Sequence, residues 1–191
     1  MFKELTSAIR PAVVLTALFA LLLGLVYPAV LTGLGQVLFP GQANGSLIRN
    51  GDRIIGSGLL GQAFSSPQYF HGRPSVAGSG YDATASSGSN QGPTSQALID
   101  RVKTDLAALG NSPEAPVPPD LVTTSASGLD PHISPEAALY QADRIASARG
   151  VAVADVRKLI AGKTEGPLLG FLSEPRVNVL ELNQALDRMV E

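Results

Sequence analysis

Ser87 and Ser89 lie in the run Ser86-Ser87-Gly88-Ser89-Asn90-Gln91-Gly92-Pro93, and His132 follows Asp130 by two residues. Serine, histidine and aspartate are the parts of a nucleophilic triad, whose order along a chain is irrelevant, so together they would cleave an ester or amide. Against this, no Gly-x-Ser-x-Gly pentapeptide is present, and a serine-rich turn or one histidine beside Pro131 is ordinary loop structure. The same run offers small donors and backbone amides able to nest an anion, with a tight structural loop as the plainer reading. Gly162-Lys163-Thr164 resembles the end of a phosphate-binding loop, but position 157 is Arg where a glycine is required, so the tripeptide reads as a helix end. Tyr69-Phe70-His71-Gly72-Arg73-Pro74 gathers aromatics and one fixed cation in a chain poor in both. It reads either as a recognition surface or as a loop anchored by buried rings.

Composition narrows the chemistry. The 191 residues hold no cysteine and two histidines, which removes disulfides, thiolate metal sites, a cysteine nucleophile and any multi-imidazole zinc site. A net charge of −2 with scattered basic residues gives no footprint for nucleic acid. No metal site and no bound cofactor are expected.

The elements that would carry these residues begin with a stretch free of charge. Between Arg10 and Arg49 no Asp, Glu, Lys, Arg or His occurs, and Pro11 to Phe39 is almost continuously apolar. About twenty such residues cross a hydrocarbon core roughly 30 Å thick, so this segment is predicted to span a membrane. A cleaved signal is the rival reading, but the run is about twice as long as a 7 to 15-residue signal core and lacks an A-x-A box near its end. Lys3 and Arg10 favour a cytoplasmic N-terminus. The expected organisation is a cytoplasmic tail over 1–10, a transmembrane helix over 11–39 and one extracytoplasmic mixed α/β (α+β) domain over 40–191. Within the span, Ala20 and Gly24, then Ala29 and Gly33, are small-xxx-small pairs suited to close helix packing, and Pro28 after Tyr27 is expected to kink it.

Beyond the span, short strands are predicted at Ile54-Ile55, Leu59-Leu60, Val122–Thr124 and Leu168–Leu172. Helices are predicted from Ser95 to Gly110, from Ser134 to Gly150 with Ser134 as cap and Pro135 at the first position, from about Val156 to Gly162, and from Asn178 to the C-terminus with Leu182, Leu186 and Met189 on one stripe. A proline-rich connector occupies Pro113 to Pro119.

Read as a whole, the chain resembles the C subunit of the Kdp-type potassium-transporting ATPase. The resemblance rests on Tyr27-Pro28, Gly56-Ser57-Gly58-Leu59-Leu60-Gly61-Gln62, Tyr69 to Ser75, Ser86 to Asn90, Ser127-Gly128-Leu129-Asp130-Pro131-His132-Ile133-Ser134 and Glu174-Pro175-Arg176-Val177-Asn178. It implies a non-catalytic subunit in the inner membrane beside a channel-like potassium-binding subunit, a P-type ATP-hydrolysing subunit and a small membrane peptide, with ATP and potassium handled by the complex. The chain lacks the Asp-Lys-Thr-Gly-Thr phosphorylation signature. The family is described as a catalytic chaperone raising the ATP affinity of the hydrolytic subunit, and the resemblance implies Ser125, Ser127, Gly128 and Gln141 as its contact. A domain outside the membrane cannot touch cytoplasmic ATP, so an indirect effect, or capping of the outer potassium entrance, is expected instead. Partner-contact candidates are Ala20, Gly24, Tyr27, Pro28, Gly33, Tyr69, Phe70, Arg73, Ser87, Ser89, Asn90, Asp130 and His132. The alternative is a membrane-tethered envelope hydrolase using Ser87 or Ser89 with His132.

Overall fold

The computed structural model describes residues 2–167 and 169–189, and the chain divides into two compact units at Leu47. The first unit is helical almost from its start. Helix α1 covers Phe2–Leu21, so Pro11 lies inside the helix and does not begin it. The five residues Leu22–Val26 form a wider π-type turn, and α2 continues over Tyr27–Leu38. Pro28 explains the widening. Its ring would collide with the carbonyl four residues back, at Gly24, and a helix accommodates this by letting an amide reach one residue further. The Tyr27 N–H accordingly donates to the Leu22 carbonyl. Where a kink after Tyr27 was expected, the chain thus inserts one loosened turn before it.

Thr6–Leu38 is long and apolar enough to cross a membrane: 33 residues, or about 50 Å of helix. Phe39 breaks it, and a one-turn helix, α3 (Pro40–Ala43), follows. Asn44 closes this end, its Nδ2 donating to Gln36 Oε1 at 3.0 Å and to the Pro40 carbonyl.

The second unit is α+β. Strands β1 (Leu47–Asn50) and β2 (Arg53–Ser57) pair across a two-residue connection in which Gly51 takes φ +58°. After a long irregular stretch come α4 (Gln96–Leu109), the two-residue strand β3 (His132–Ile133), α5 (Pro135–Arg149), α6 (Val153–Lys163), β4 (Thr164–Glu165), β5 (Arg176–Asn178) and α7 (Val179–Asp187). The sheet order is β3-β5-β4, both pairs antiparallel, with Ile133 opposite Val177 and Thr164 opposite the same Val177.

The core lies where α5, α6 and α7 meet β5. Phe70, Ile145, Val156, Ile160, Val177, Leu182 and Leu186 are its largest fully buried apolar residues. Helix α5 starts and stops as its sequence dictates: Ser134 Oγ accepts the Ala137 N–H at 3.1 Å, and Gly150 ends it at φ +68°. Asn178 caps α7 by accepting the Glu181 N–H, while its Nδ2 donates to the Gly58 carbonyl at 2.9 Å.

Three strand expectations fail. Leu59-Leu60 forms a turn in which the Leu59 N–H bonds Ser57 Oγ. Val122–Thr124 follows a 3-10 turn at Pro119–Leu121 that takes the Val122 N–H onto the Pro119 carbonyl, and no strand forms there. Leu168 lies outside the described residues, and the rest of that run turns, with Leu169 and Gly170 at φ +56° and +81°. Gly162-Lys163-Thr164 closes α6, as its neighbours suggest, with Thr164 Oγ1 donating to the Ile160 carbonyl. Helix α7 stops at Asp187, so Met189 falls in a turn, 39% exposed, beyond the buried stripe of Leu182 and Leu186.

Candidate functional site

The serine and glycine segments of the sequence converge in space. Ser75 Oγ donates to the Gly128 carbonyl at 2.6 Å and accepts the Tyr81 N–H at 2.8 Å and the Ala77 N–H at 3.2 Å. The Ser87 N–H and the Ser86 hydroxyl both donate to the Ser127 carbonyl. Ser125 Oγ accepts the Gly128 N–H at 2.9 Å, and Ser127 Oγ accepts the Leu129 N–H at 3.1 Å. Side chains that short reach their own backbone before anything else, which is why such runs make turns. Three loops are stitched together this way around Gly128, which is buried at φ +67°.

Arg73 ties this knot to the neighbouring chain. Its Nε donates to the Thr123 carbonyl, Nη2 to Thr123 Oγ1 and the Thr124 carbonyl, and Nη1 reaches Asp130 Oδ2 at 3.3 Å. The other Asp130 oxygen accepts the His132 N–H at 3.0 Å and lies 3.4 Å from its Nδ1. Burial works against a charge on Asp130, yet the His132 hydrogen bonds and the Arg73 guanidinium outweigh it and hold the carboxyl below its ordinary value. The Tyr81 hydroxyl donates to the Arg73 carbonyl, and burial followed by the Asp130 charge raises its pKa. Gly61 passes so close that a Cβ there would stand 2.6 Å from the Asp130 carbonyl oxygen.

The structure therefore unites Arg73, Ser125, Ser127, Asp130 and His132 but does not complete a triad. Ser87 Oγ donates to the Gly88 carbonyl, and among the described residues no serine hydroxyl meets His132. Asn90 is exposed at φ +51°, and Ser89 is half-buried beside it. An open cavity of about 610 Å³ is lined by Leu59, Leu60, Arg73, Ser125, Ser127 and Asp130 among others. The two hydroxyls also bond each other at 3.4 Å, which leaves one serine hydroxyl proton there for a partner group.

Gln141 and Phe70 sit elsewhere. Phe70 is fully buried, so as a surface contact it is corrected: its ring anchors the core, the second of the two readings of that hexapeptide. Gln141, 3% exposed, uses all of its amide internally, Oε1 accepting the His71 N–H and an Arg144 N–H while Nε2 donates to the His71 and Ala137 carbonyls. Asn183 does the same for Phe70, accepting its N–H at 2.8 Å and donating to its carbonyl at 3.0 Å. Arg144 donates to the Pro67 and Tyr69 carbonyls, and Arg149 to that of Gln68. Residues 66–69 make a turn, closed by the Tyr69 N–H on the Ser66 carbonyl, and the segment over 67–71 is held not by a strand but by side chains of α5 and α7. Sequence reasoning missed Asn183, Arg144 and Arg149. The readable signal was a lone amide, Gln141, on a buried stripe otherwise made of Ala137, Ala138, Ala142 and Ile145.

His71 has a consequence that can be measured. Its Nε2 donates to the Ser66 carbonyl, and burial, with the Arg144 charge in support, depresses its pKa despite that bond. A base with a depressed folded pKa binds fewer protons folded than unfolded, so its stability contribution is present above about pH 6.5 and declines as pH falls toward the folded value. Urea midpoints should therefore drop between pH 7.5 and pH 5, and His71→Gln should flatten that dependence.

Among the described residues, one helix is long and apolar enough to cross a membrane and a small α+β domain follows it, the architecture of a domain on a candidate membrane anchor. The family model of the K+-transporting ATPase c chain, KdpC, matches residues 9–188. The potassium-transporting ATPase KdpC subunit of Caulobacter vibrioides (strain NA1000 / CB15N) is 59% identical over 183 residues, 95% of this chain and 93% of that relative. The KdpC subunit of Koribacter versatilis (strain Ellin345) is 54% identical over 179 residues, 92% of each chain, and that of Myxococcus xanthus 54% over 192 residues, 98% and 89%. The chain belongs to the KdpC family.

Proposed function

We propose that the chain is the accessory C subunit of an ATP-driven potassium uptake complex, anchored in the inner membrane with its N-terminus in the cytoplasm and its α+β domain outside. The observation that carries the reading is the charge-free stretch from Arg10 to Arg49 in a chain of this family, with Lys3 and Arg10 on the short side. Ala20 with Gly24 and Ala29 with Gly33 face different sides of the helix, since the five residues from Gly24 to Ala29, partly in the wider turn, give roughly 100–140° of net rotation. That suits a helix wedged between two neighbours, the potassium-binding and the ATP-hydrolysing subunits, with the small peptide nearby. The domain stabilises the pump from outside and caps the potassium entrance, presenting Leu59, Leu60, Ser125 and Ser127. Any influence on ATP affinity then passes through the membrane subunits.

Because the chain has no cysteine, a single introduced thiol reports topology without background. Gln91→Cys should react with a membrane-impermeant maleimide in intact spheroplasts and Lys3→Cys only after lysis. Tagged parent should bring down the large subunits in mild detergent, and Gly33→Leu should recover far less of them. Labelling of Lys3→Cys alone in intact spheroplasts would reverse the orientation, and undiminished recovery with Gly33→Leu would remove the packing argument.

A further inference from the structure

Away from the serine loops, a cleft of about 280 Å³ opens between the Arg49–Ile55 side of the hairpin and α7. Its charges do not cancel. Asp187 on its wall is already engaged, by Arg149 Nη2 at 2.7 Å and the Tyr69 hydroxyl at 3.2 Å. Arg149, with only 9% of its side chain exposed, also lies over the Tyr69 ring, 4.8 Å from its centroid. By contrast, Arg49 and Arg188 meet no acceptor among the described residues, and neither does Gln184 Nε2, a buried atom. A buried amide N–H without an acceptor is costly and uncommon in a folded protein, and it calls for a missing partner. Here the missing partner must be an acceptor, because the unsatisfied groups are all donors.

We propose that this cleft is a binding site for a phosphate group. Two unpaired guanidinium forks match the oxygen geometry of phosphate, and their two charges match a phosphomonoester, which carries about 1.5 to 2 negative charges near neutral pH. A carboxylate would bring one charge and leave one arginine uncompensated. Gln184 supplies a neutral donor on the lining of the same cleft, and Ile55, Phe64 and Leu180 form an apolar wall that thins the water around the anion and strengthens each bond. Gly56 keeps the wall in place: a Cβ there would stand 2.7 Å from Leu180 Cδ2 and collide with the Gln62 amide. The same phosphate chemistry is offered by a free small phosphate and by the headgroup of a phospholipid in the membrane that holds the anchor.

The full-length chain in an uncharged detergent, at low ionic strength, should bind glycerol 3-phosphate saturably in a calorimeter. The Arg49→Gln/Arg188→Gln double variant should lose roughly tenfold or more in affinity, and Gln184→Leu severalfold. The same chain in phosphatidylcholine nanodiscs, with or without phosphatidic acid, separates the sources. A rise in unfolding temperature with phosphatidic acid that the double variant abolishes assigns the site to lipid, and glycerol phosphate binding without that rise assigns it to the free molecule. Both guanidinium groups are exposed at the cleft, so folding should survive; if it does not, Arg49→Lys/Arg188→Lys keeps the charge and should bind with intermediate affinity. Saturation by neither probe, or binding unchanged in the variants, overturns the proposal.

Discussion

Asn183→Leu should lower the unfolding free energy of the soluble domain by about 3 kcal/mol or more, although leucine fills nearly the same volume. The residue is 2% exposed and its amide serves the Phe70 backbone twice, at 2.8 and 3.0 Å. Phe70 is itself fully buried, so neither its N–H nor its carbonyl finds water once the amide is gone. Each stranded group costs about 1–3 kcal/mol, and no new cavity is needed to explain the loss. Gln141→Leu should behave alike for His71, with Arg144 losing one acceptor as well. Gln184→Leu on the same helix is the control, because Gln184 Nε2 has no protein acceptor to abandon and its removal should leave stability unchanged or raised. Urea unfolding of the full chain in detergent, followed by circular dichroism, measures all three. If Asn183→Leu unfolds at the parental midpoint, the segment over 67–71 is held by something other than these side chains.

How much of this could be read from the sequence depends on the range of the interaction involved. Helix α5 was legible to the residue, since Ser134, Pro135, Glu136 and Gly150 are local signals whose physics needs no tertiary partner. The apolar span was legible for the same reason. Strands β3, β4 and β5 hold two or three residues each, too few for any alternation to register, and they exist because α5, α6 and α7 bury Val177 from one side. The run after Pro167 misled in the opposite way: it has strand composition, but its backbone turns through two consecutive left-handed residues. At the serine loops, the residue types suggested binding chemistry, whereas most of their hydrogen-bonding capacity is spent on holding three loops to one another. Hydroxyl content alone does not distinguish a site from a knot, because the same short donors serve both. The phosphate cleft was invisible for a complementary reason: Arg49 and Arg188 stand at opposite ends of the domain sequence, and nothing local marks an arginine as lacking a partner.

Gly128→Ala should separate packing from backbone strain at the knot and cost about 2–4 kcal/mol. Its φ of +67° would impose on alanine the left-handed penalty, about 1–2 kcal/mol, and the new Cβ would stand 2.7 Å from the Ser87 carbonyl oxygen and 2.9 Å from the Ala77 nitrogen. Both neighbours are backbone, fixed by the Ser75 and Ser127 hydrogen bonds, so they cannot yield as a flexible side-chain tip would. Gly150→Ala supplies the reference, with φ +68° and open space around the added methyl, so it should lose only the conformational part. The excess loss in Gly128→Ala is then the energy of the three-loop junction. Because that junction carries Ser125 and Ser127 on the proposed docking face, potassium uptake by the assembled pump should fall with Gly128→Ala and stay near parental with Gly150→Ala. Equal stability losses in the two variants would mean the loops part easily, and such a face could not present a fixed surface to a partner subunit.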